Sequence, residues 1–139
     1  METTRSAVAR RHQGYQHDIE IRDHRLVADE PEDEGGDDAG PRATELLAAS
    51  LASCTAITIE MYADRKGWEL GTVEVTVEYE PASTNEPPRF DVTIRTPLEE
   101  ELTDEQRERI LVIAGKCPVH RVLLATHVEM TDSLKMFEE

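Results

Sequence analysis

The chain has 139 residues and a mass of 15.7 kDa, a length typical of a single domain that buries about two thirds of its unfolded surface. Its 15 basic residues are outnumbered by 30 acidic ones, so the net charge of −15 disfavours binding to nucleic acid or to an anionic membrane surface. Only 4% of the residues are aromatic, which predicts an aliphatic core.

Residues 1–28 alternate loosely between apolar and polar side chains, which predicts short antiparallel strands over Ala7–Arg11, Gln16–Ile21 and Arg25–Ala28. The segment contains no apolar stretch of the kind found in signal peptides. The longest apolar run, Leu46–Ile59, is shorter than the roughly 20 residues that cross a membrane. We therefore expect a cytoplasmic protein that contacts no membrane.

Residues 29–42 are predicted to form a loop, since seven of the ten residues from Asp29 to Asp38 are acidic and glycines interrupt the run. One interpretation is a solvated, mobile loop, and another is a lid beside a site. A metal site is less favoured, because the run contains no His or Cys and its spacing fits no calcium loop.

A long helix is predicted over residues 43–66, where Ala, Leu and Met dominate and a proline precedes the first turn. Glu45 lies in that first turn, where a negative charge suits the helix dipole. Lys66 places a positive charge in the last turn, and Gly67 is the glycine that commonly ends a helix. The first four turns are apolar on all sides, which is typical of a helix that is buried over most of its surface.

Two strands, two helices and a last strand are predicted after the long helix. Residues 72–96 contain two alternating segments that should pair as a hairpin with one face on that helix. Residues 103–124 contain a helix with the capping-box spacing of Thr103 and Gln106, followed by a second short helix. Residues 126–132 alternate as a final strand. This order predicts an α+β fold in one domain, with an antiparallel sheet wrapped around a buried helix.

The two cysteines have different local settings. Cys54 lies in the middle of the predicted long helix, where a free cysteine usually acts as a small apolar side chain. Pro118 suits the first position of a helix and therefore places Cys117 at the N-cap. Free backbone N–H groups, together with the positive charge of Lys116, His120 and Arg121, would then favour a thiolate at Cys117. The alternative is that Cys117 is an ordinary helix cap.

The cysteines are 63 residues apart, and two thiols in a cytosolic chain are expected to stay reduced. If the fold brings them together, a peroxide can oxidise one thiol to a sulfenic acid, which the other resolves to a disulfide. The aliphatic helix around Cys54 suits an apolar peroxide better than hydrogen peroxide.

Other uses of these residues are less favoured. A zinc site needs three or four ligands, and only Cys117 and His120 have a suitable spacing. A cysteine hydrolase would pair Cys54 or Cys117 with His120 or His127, but no oxyanion loop or orienting Asn is evident. The sequence therefore favours neither a zinc site nor a cysteine hydrolase.

The sequence resembles the OsmC/Ohr family, the osmotically inducible protein C and organic hydroperoxide resistance proteins, over nearly its whole length. Four segments carry the resemblance in the same order and spacing: HRLVADEP at His24–Pro31, GPRATELLAASLASCTAIT at Gly40–Thr58, YADRKGW at Tyr62–Trp68 and KCPVHR at Lys116–Arg121.

The resemblance implies an α+β, OsmC-like fold in which strands wrap long central helices and two chains form an intertwined homodimer. It implies that Cys54 is the peroxidatic cysteine and Cys117 the resolving one. The implied activity is the reduction of organic or lipid hydroperoxides to alcohols without a metal or flavin. A dithiol, such as a lipoylated protein, would regenerate the enzyme.

The family also uses an Arg–Glu pair to activate the peroxidatic thiol. Counting back from Cys54, the family's Glu falls on Thr44, and Glu45 follows one residue later. Arg42 is a candidate for the arginine, as are Arg22 and Arg10. The alternative function is a non-catalytic dimer of the same fold that binds an apolar ligand or partner.

Overall fold

A computed structural model of the chain describes residues 4–96 and 102–137. The chain divides into two compact units. The first unit comprises residues up to Ala52 together with Thr76–Thr93, and the second comprises Ser53–Val75 together with the residues from Ile94 onward. The single domain expected over residues 1–139 stays a prediction.

The first unit begins with a three-stranded antiparallel sheet of β1 (Val8–Gln13), β2 (Gln16–Ile21) and β3 (His24–Ala28), in that order. Each connection is a two-residue turn that contains one residue with a positive φ, Gly14 at 55° and Arg22 at 54°. Glycine adopts this conformation without steric cost, whereas it is uncommon for arginine. The two tight turns set the register of the sheet.

The acidic loop after β3 is organised around one buried carboxylate. Asp29 is 3% exposed and accepts hydrogen bonds from the backbone N–H groups of Glu30 (2.7 Å), Asp37 (3.2 Å) and Ala39 (3.0 Å). Gly36 passes so close that a Cβ atom there would overlap the Glu30 carbonyl group. The run predicted to be a solvated loop therefore contains a compact hydrogen-bonded turn, which includes a 3₁₀ helix over Glu32–Glu34.

Helix α1 spans Ala43–Lys66 and is the longest element of the chain. The backbone N–H of Arg42 donates to the Glu45 carboxylate at 2.9 Å, which ties the first turn to the residue before it. The helix ends before Gly67, whose φ is 70°.

The apolar surface of α1 is buried along one stripe only. Residues at a spacing of four lie on this stripe, and each is at most 3% exposed: Leu51, Thr55, Ile59 and Ala63. Ile57 and Met61 are exposed by 51% and 58%. The expectation that α1 is buried over most of its surface is therefore wrong for the single chain. An apolar helix packs one face on its own core, and its other faces need further partners.

Helix α1 is also the one helix among the described residues that is long and apolar enough to cross a membrane. The run of Leu46–Ile59 was expected to be too short, but the qualifying helix is ten residues longer. This property is weak evidence, because the core helices of soluble proteins share it.

Two strands follow as a separate two-stranded sheet, β4 (Glu74–Glu80) and β5 (Arg89–Arg95). In β4 exposed and half-buried residues alternate, as the sequence pattern predicts for a strand with one wet face. The rings of Tyr79 and Phe90 lie 4.8 Å apart and join the two strands.

The second unit has its own aliphatic core. Helix α2 (Asp104–Ala114) is followed by the six-residue helix α3 (Pro118–Leu123). Thr103 caps α2 with the expected capping box, in which both hydrogen bonds with Gln106 are 3.0 Å long. The core combines residues of α1, of α2 and of the segment between α1 and β4: Ile59, Ala63, Leu70, Ile110 and Ala114.

The last strand, predicted over residues 126–132, does not form, and no helix or strand is present from residue 125 to residue 137. Alternating apolar and polar residues give a segment one apolar face, but a strand forms only where its backbone can hydrogen-bond to a neighbouring strand. Met130 and Leu134 in this tail are exposed by 81% and 92%.

Candidate functional site

The two cysteines come together in the second unit. Cys54 lies on α1 and Cys117 lies directly before α3, yet their side chains are within hydrogen-bonding reach of each other. Cys117 is completely buried and Cys54 is half-buried, and both are free thiols. The fold therefore brings together two thiols that are 63 residues apart in the sequence.

The start of α3 is built as the sequence predicts. Cys117 is the N-cap, with φ −55° and ψ 133°, and Pro118 is the first helical residue. The Cys117 carbonyl accepts the hydrogen bond of the Arg121 N–H at 3.1 Å. The backbone N–H of Val119, however, contacts the Cys54 side chain. One of the N–H groups expected to stabilise a Cys117 thiolate, that of Val119, therefore interacts with the Cys54 sulfur instead.

Opposing contacts act on the protonation of Cys54. Burial raises the pKa of the Cys54 thiol above its ordinary value of 9.0, and the hydrogen bond and charge of Cys117 raise it further. The Val119 N–H and the Thr58 side chain lower the pKa, each by less than burial raises it. At neutral pH the resting Cys54 is therefore a thiol that has two anion-stabilising groups already in place.

The predicted charged residues lie in the first unit. Arg42 and Glu45 form an ion pair, with 3.9 Å between the Arg42 Nε and a Glu45 carboxylate oxygen, at the start of α1. Of the two other candidates for the arginine, Arg10 pairs with Glu20 at 3.1 Å across the β1–β2 ladder, and Arg22 occupies the turn between β2 and β3. Arg42 is thus the candidate arginine that is joined to Glu45.

Arg42 and Glu45 border a cleft of about 640 Å³ within the first unit. Three alanines of α1 and two side chains of β4 supply its apolar walls: Ala48, Ala49, Ala52, Val77 and Tyr79. Thr44, onto which the family's Glu falls, lines the same cleft. Asp38, Arg42, Thr44 and Glu45 supply its polar part, so the cleft offers both apolar and charged surface.

A second cleft of about 790 Å³ lies within the second unit, and neither cysteine lines it. Its aromatic wall is formed by Tyr62 and Trp68, whose rings are 5.5 Å apart and nearly perpendicular. Arg109 donates a hydrogen bond to the Tyr62 hydroxyl at 3.0 Å and lies over its ring. Tyr62 and Trp68 are the first and last residues of the segment YADRKGW, and both line this cleft.

The sequence interpretation missed two contributors to the thiol site. Thr58 is one helical turn after Cys54, a spacing that could have identified it as a partner because residues four apart share a helix face. The Val119 N–H belongs to a distant segment, and no local pattern indicates it. Within residues 4–96 and 102–137, no cluster of three or more His, Cys, Asp or Glu side chains is arranged to hold a metal ion.

Several solved structures share this fold at low sequence identity. A crystal structure from Psychrobacter arcticus 273-4 has a TM-score of 0.74 and 20% identity, covering 88% of this chain and 90% of that chain. The organic hydroperoxide resistance protein OsmC of Legionella pneumophila has a TM-score of 0.64 and 23% identity, covering 87% and 89%. For the organic hydroperoxide resistance protein OhrB of Bacillus subtilis the values are 0.59 and 21%, covering 88% and 92%.

These structures have the α+β architecture with antiparallel strands and a long helix that is described above. No curated protein sequence matches the chain. Residues 35–131, which include both cysteines, match the family described as OsmC-like protein. The chain belongs to the OsmC-like protein family.

Proposed function

We propose that this protein is a thiol-dependent peroxidase that reduces organic hydroperoxides to alcohols. The observation that carries the proposal is the contact between the Cys54 and Cys117 side chains. Solved relatives named organic hydroperoxide resistance proteins support the same substrate class.

The reaction uses the two thiols in sequence. The Cys54 thiolate attacks the terminal oxygen of the hydroperoxide, so that an S–O bond forms while the O–O bond breaks. The alkoxide leaves and takes up a proton as the alcohol, and Cys54 becomes a sulfenic acid. The Cys117 sulfur then attacks the Cys54 sulfur, which releases water and forms a disulfide. Two sulfurs in hydrogen-bonding contact need to approach only to about 2.05 Å for this step.

A dithiol reductant, for instance a lipoylated protein, completes the cycle by thiol–disulfide exchange. It gives two electrons and two protons to the Cys54–Cys117 disulfide and becomes a disulfide itself. In this proposal the protein works in the cytoplasm as an intertwined homodimer, with neither a metal nor another cofactor.

We assign the family's activating Arg–Glu pair to Arg42 and Glu45, which both lie in the first unit. A guanidinium stabilises both a thiolate and a departing alkoxide through its charge, and Glu45 would orient it. The ion pair between the two side chains supports the orienting role of Glu45. Glu45 also accepts the Arg42 backbone N–H, so part of its role is to begin α1.

Peroxide turnover with a dithiol and with a monothiol tests the proposal. Wild-type protein should consume cumene hydroperoxide with the dithiol, and one equivalent of peroxide should produce a Cys54–Cys117 linkage visible by mass spectrometry. Cys54→Ser should abolish turnover, while Cys117→Ser should leave an unresolved sulfenic acid on Cys54. Unchanged peroxide together with two free thiols in the wild-type protein would rule the proposal out.

The second candidate is a non-catalytic dimer that binds an apolar ligand, and the raised pKa of Cys54 favours it. Thiol labelling at pH 6 separates the two functions, because an activated thiolate reacts at this pH while ordinary thiols stay protonated. Slow and equal labelling of both cysteines favours the ligand-binding protein, whereas selective labelling of Cys54 favours the peroxidase.

A further inference from the structure

Besides Cys117, Thr58 is the side chain among the described residues that interacts with the Cys54 thiol. The two residues are four positions apart on the continuous helix α1. Side chains on a helix lean toward its N-terminus, so a residue at i+4 covers the side chain at i. The geometry of the helix therefore places the Thr58 side chain beside Cys54.

The contacts of Cys54 fall into two groups with opposite effects. Cys117 favours the protonated Cys54 sulfur, because the Cys117 sulfur accepts a hydrogen bond from the Cys54 thiol and a negative charge on Cys117 would repel a thiolate. The Thr58 hydroxyl and the Val119 N–H are donors, and donors favour the negatively charged sulfur. Of these two donors, only the threonine can be removed by substitution without changing the backbone.

We propose that the Thr58 hydroxyl donates a hydrogen bond to the Cys54 thiolate and thereby acts as a catalytic residue of the attack on the hydroperoxide. The catalytic half of this inference rests on the proposed peroxidase function, whereas the hydrogen bond to the thiolate does not. The threonine hydroxyl keeps its proton throughout, so it stabilises the anion without taking part in the exchange of electrons or protons.

The substitutions used in the test leave the titratable and charged residues around Cys54 unchanged. Cys117 is the titratable group in contact with Cys54. Lys116 precedes Cys117, and His120 and Arg121 are on α3. On α1, the nearest acidic residue after Cys54 is Glu60.

The test compares three variants by the rate at which iodoacetamide alkylates Cys54, followed by peptide mass spectrometry from pH 6 to pH 11 with both cysteines present. Thr58→Val keeps the branched shape and removes the hydroxyl. We expect alkylation about tenfold slower in the rising part of the profile, the loss typical of one hydrogen bond to a charged group. The plateau at high pH should be retained, because access to the sulfur is unchanged. Thr58→Ser should keep the wild-type profile.

Thr55→Val is the matched control. Thr55 is on the same helix, is 1% exposed, and its hydroxyl has no hydrogen-bond partner in the described part of the chain. Its removal should leave the Cys54 profile unchanged. An unchanged profile in Thr58→Val, or an equal shift in Thr55→Val, would overturn the inference.

Peroxide reactivity keeps the two proposals distinguishable. Disulfide formation with cumene hydroperoxide in Thr58→Val should slow by the same factor as alkylation at the same pH. If wild-type protein is inert to peroxide while the alkylation profile of Thr58→Val shifts, the peroxidase function fails and the hydrogen bond stands. If the wild type reacts and Thr58→Val reacts equally fast, the role of Thr58 in the attack fails alone.

Discussion

Asp29 is a buried carboxylate that holds the acidic loop together. Three backbone N–H groups lower its pKa below the ordinary value of 3.8, with that of Ala39 contributing most, and the charge of His17 acts in the same direction. Its own N–H donates to the Pro41 carbonyl at 3.0 Å, which joins the two ends of the loop. One acidic residue of seven thus has a structural role that composition does not reveal.

We predict that Asp29→Asn lowers the thermal midpoint by several degrees, because the amide lacks the charge and one acceptor that the three N–H groups need. The lowered pKa means that the unfolded chain binds the proton more tightly, so the stabilisation is present above pH 3.8 and is lost as the pH falls through the lowered pKa. The variant should therefore lose less stability in acid than the wild type.

Thermal melts from pH 2 to pH 7 measure this difference. Asp33→Asn is the control, since Asp33 is exposed in the same loop. Equal melting behaviour of the two variants would contradict the structural role of Asp29.

The sequence predicts the start of helix α2 completely, through its capping box. Thr103 and Gln106 show the signature, and both reciprocal hydrogen bonds form. A cap depends only on residues within one turn, so its prediction needs no knowledge of tertiary contacts.

Replacing the cap should cost stability in proportion to the lost hydrogen bond. Thr103→Ala leaves the Gln106 N–H without its side-chain acceptor, and we expect the free energy of unfolding to fall by about 1 kcal/mol. Urea denaturation measures the change. Thr84→Ala, in the exposed loop between β4 and β5, is the control and should be neutral. A loss in Thr84→Ala as large as that in Thr103→Ala would show that the cap is not its cause.

Two predictions made from the sequence of a single element are wrong: the burial of helix α1 on most sides and the strand in the tail after α3. Composition predicts that α1 is a helix, but it cannot tell which of its faces the chain itself covers. The alternation of residues 126–132 likewise describes a strand whose partner the described chain does not provide. In both cases the missing information is a neighbour, which is not a local property.

At the scale of the whole molecule, the exposed apolar side of α1 and the net charge of −15 act against each other in self-association. Burying Ile57 and Met61 favours the proposed homodimer, while two acidic chains repel each other. Salt screens this repulsion with a Debye length of about 10 Å at 0.1 M. We therefore expect a dimer that becomes tighter as the ionic strength rises.

Sedimentation equilibrium at several salt concentrations checks this expectation. Ile57→Lys should weaken the dimer at least tenfold, because it places a charge in the proposed apolar interface. Thr84→Lys adds the same charge in an exposed loop and serves as the control. A monomeric mass for the wild-type protein at every salt concentration would refute the dimer.

The sequence by itself determined the α-helices and strands up to α3, though not the 3₁₀ helix over Glu32–Glu34, because periodicity is a property of neighbouring residues. For the same reason it determined the cap of α2, the N-cap position of Cys117 and the family. Tertiary structure decided that the two thiols meet, that the Val119 N–H serves Cys54 and that Asp29 is the buried member of its run. Each of these depends on segments that are distant in the chain and are joined only by packing.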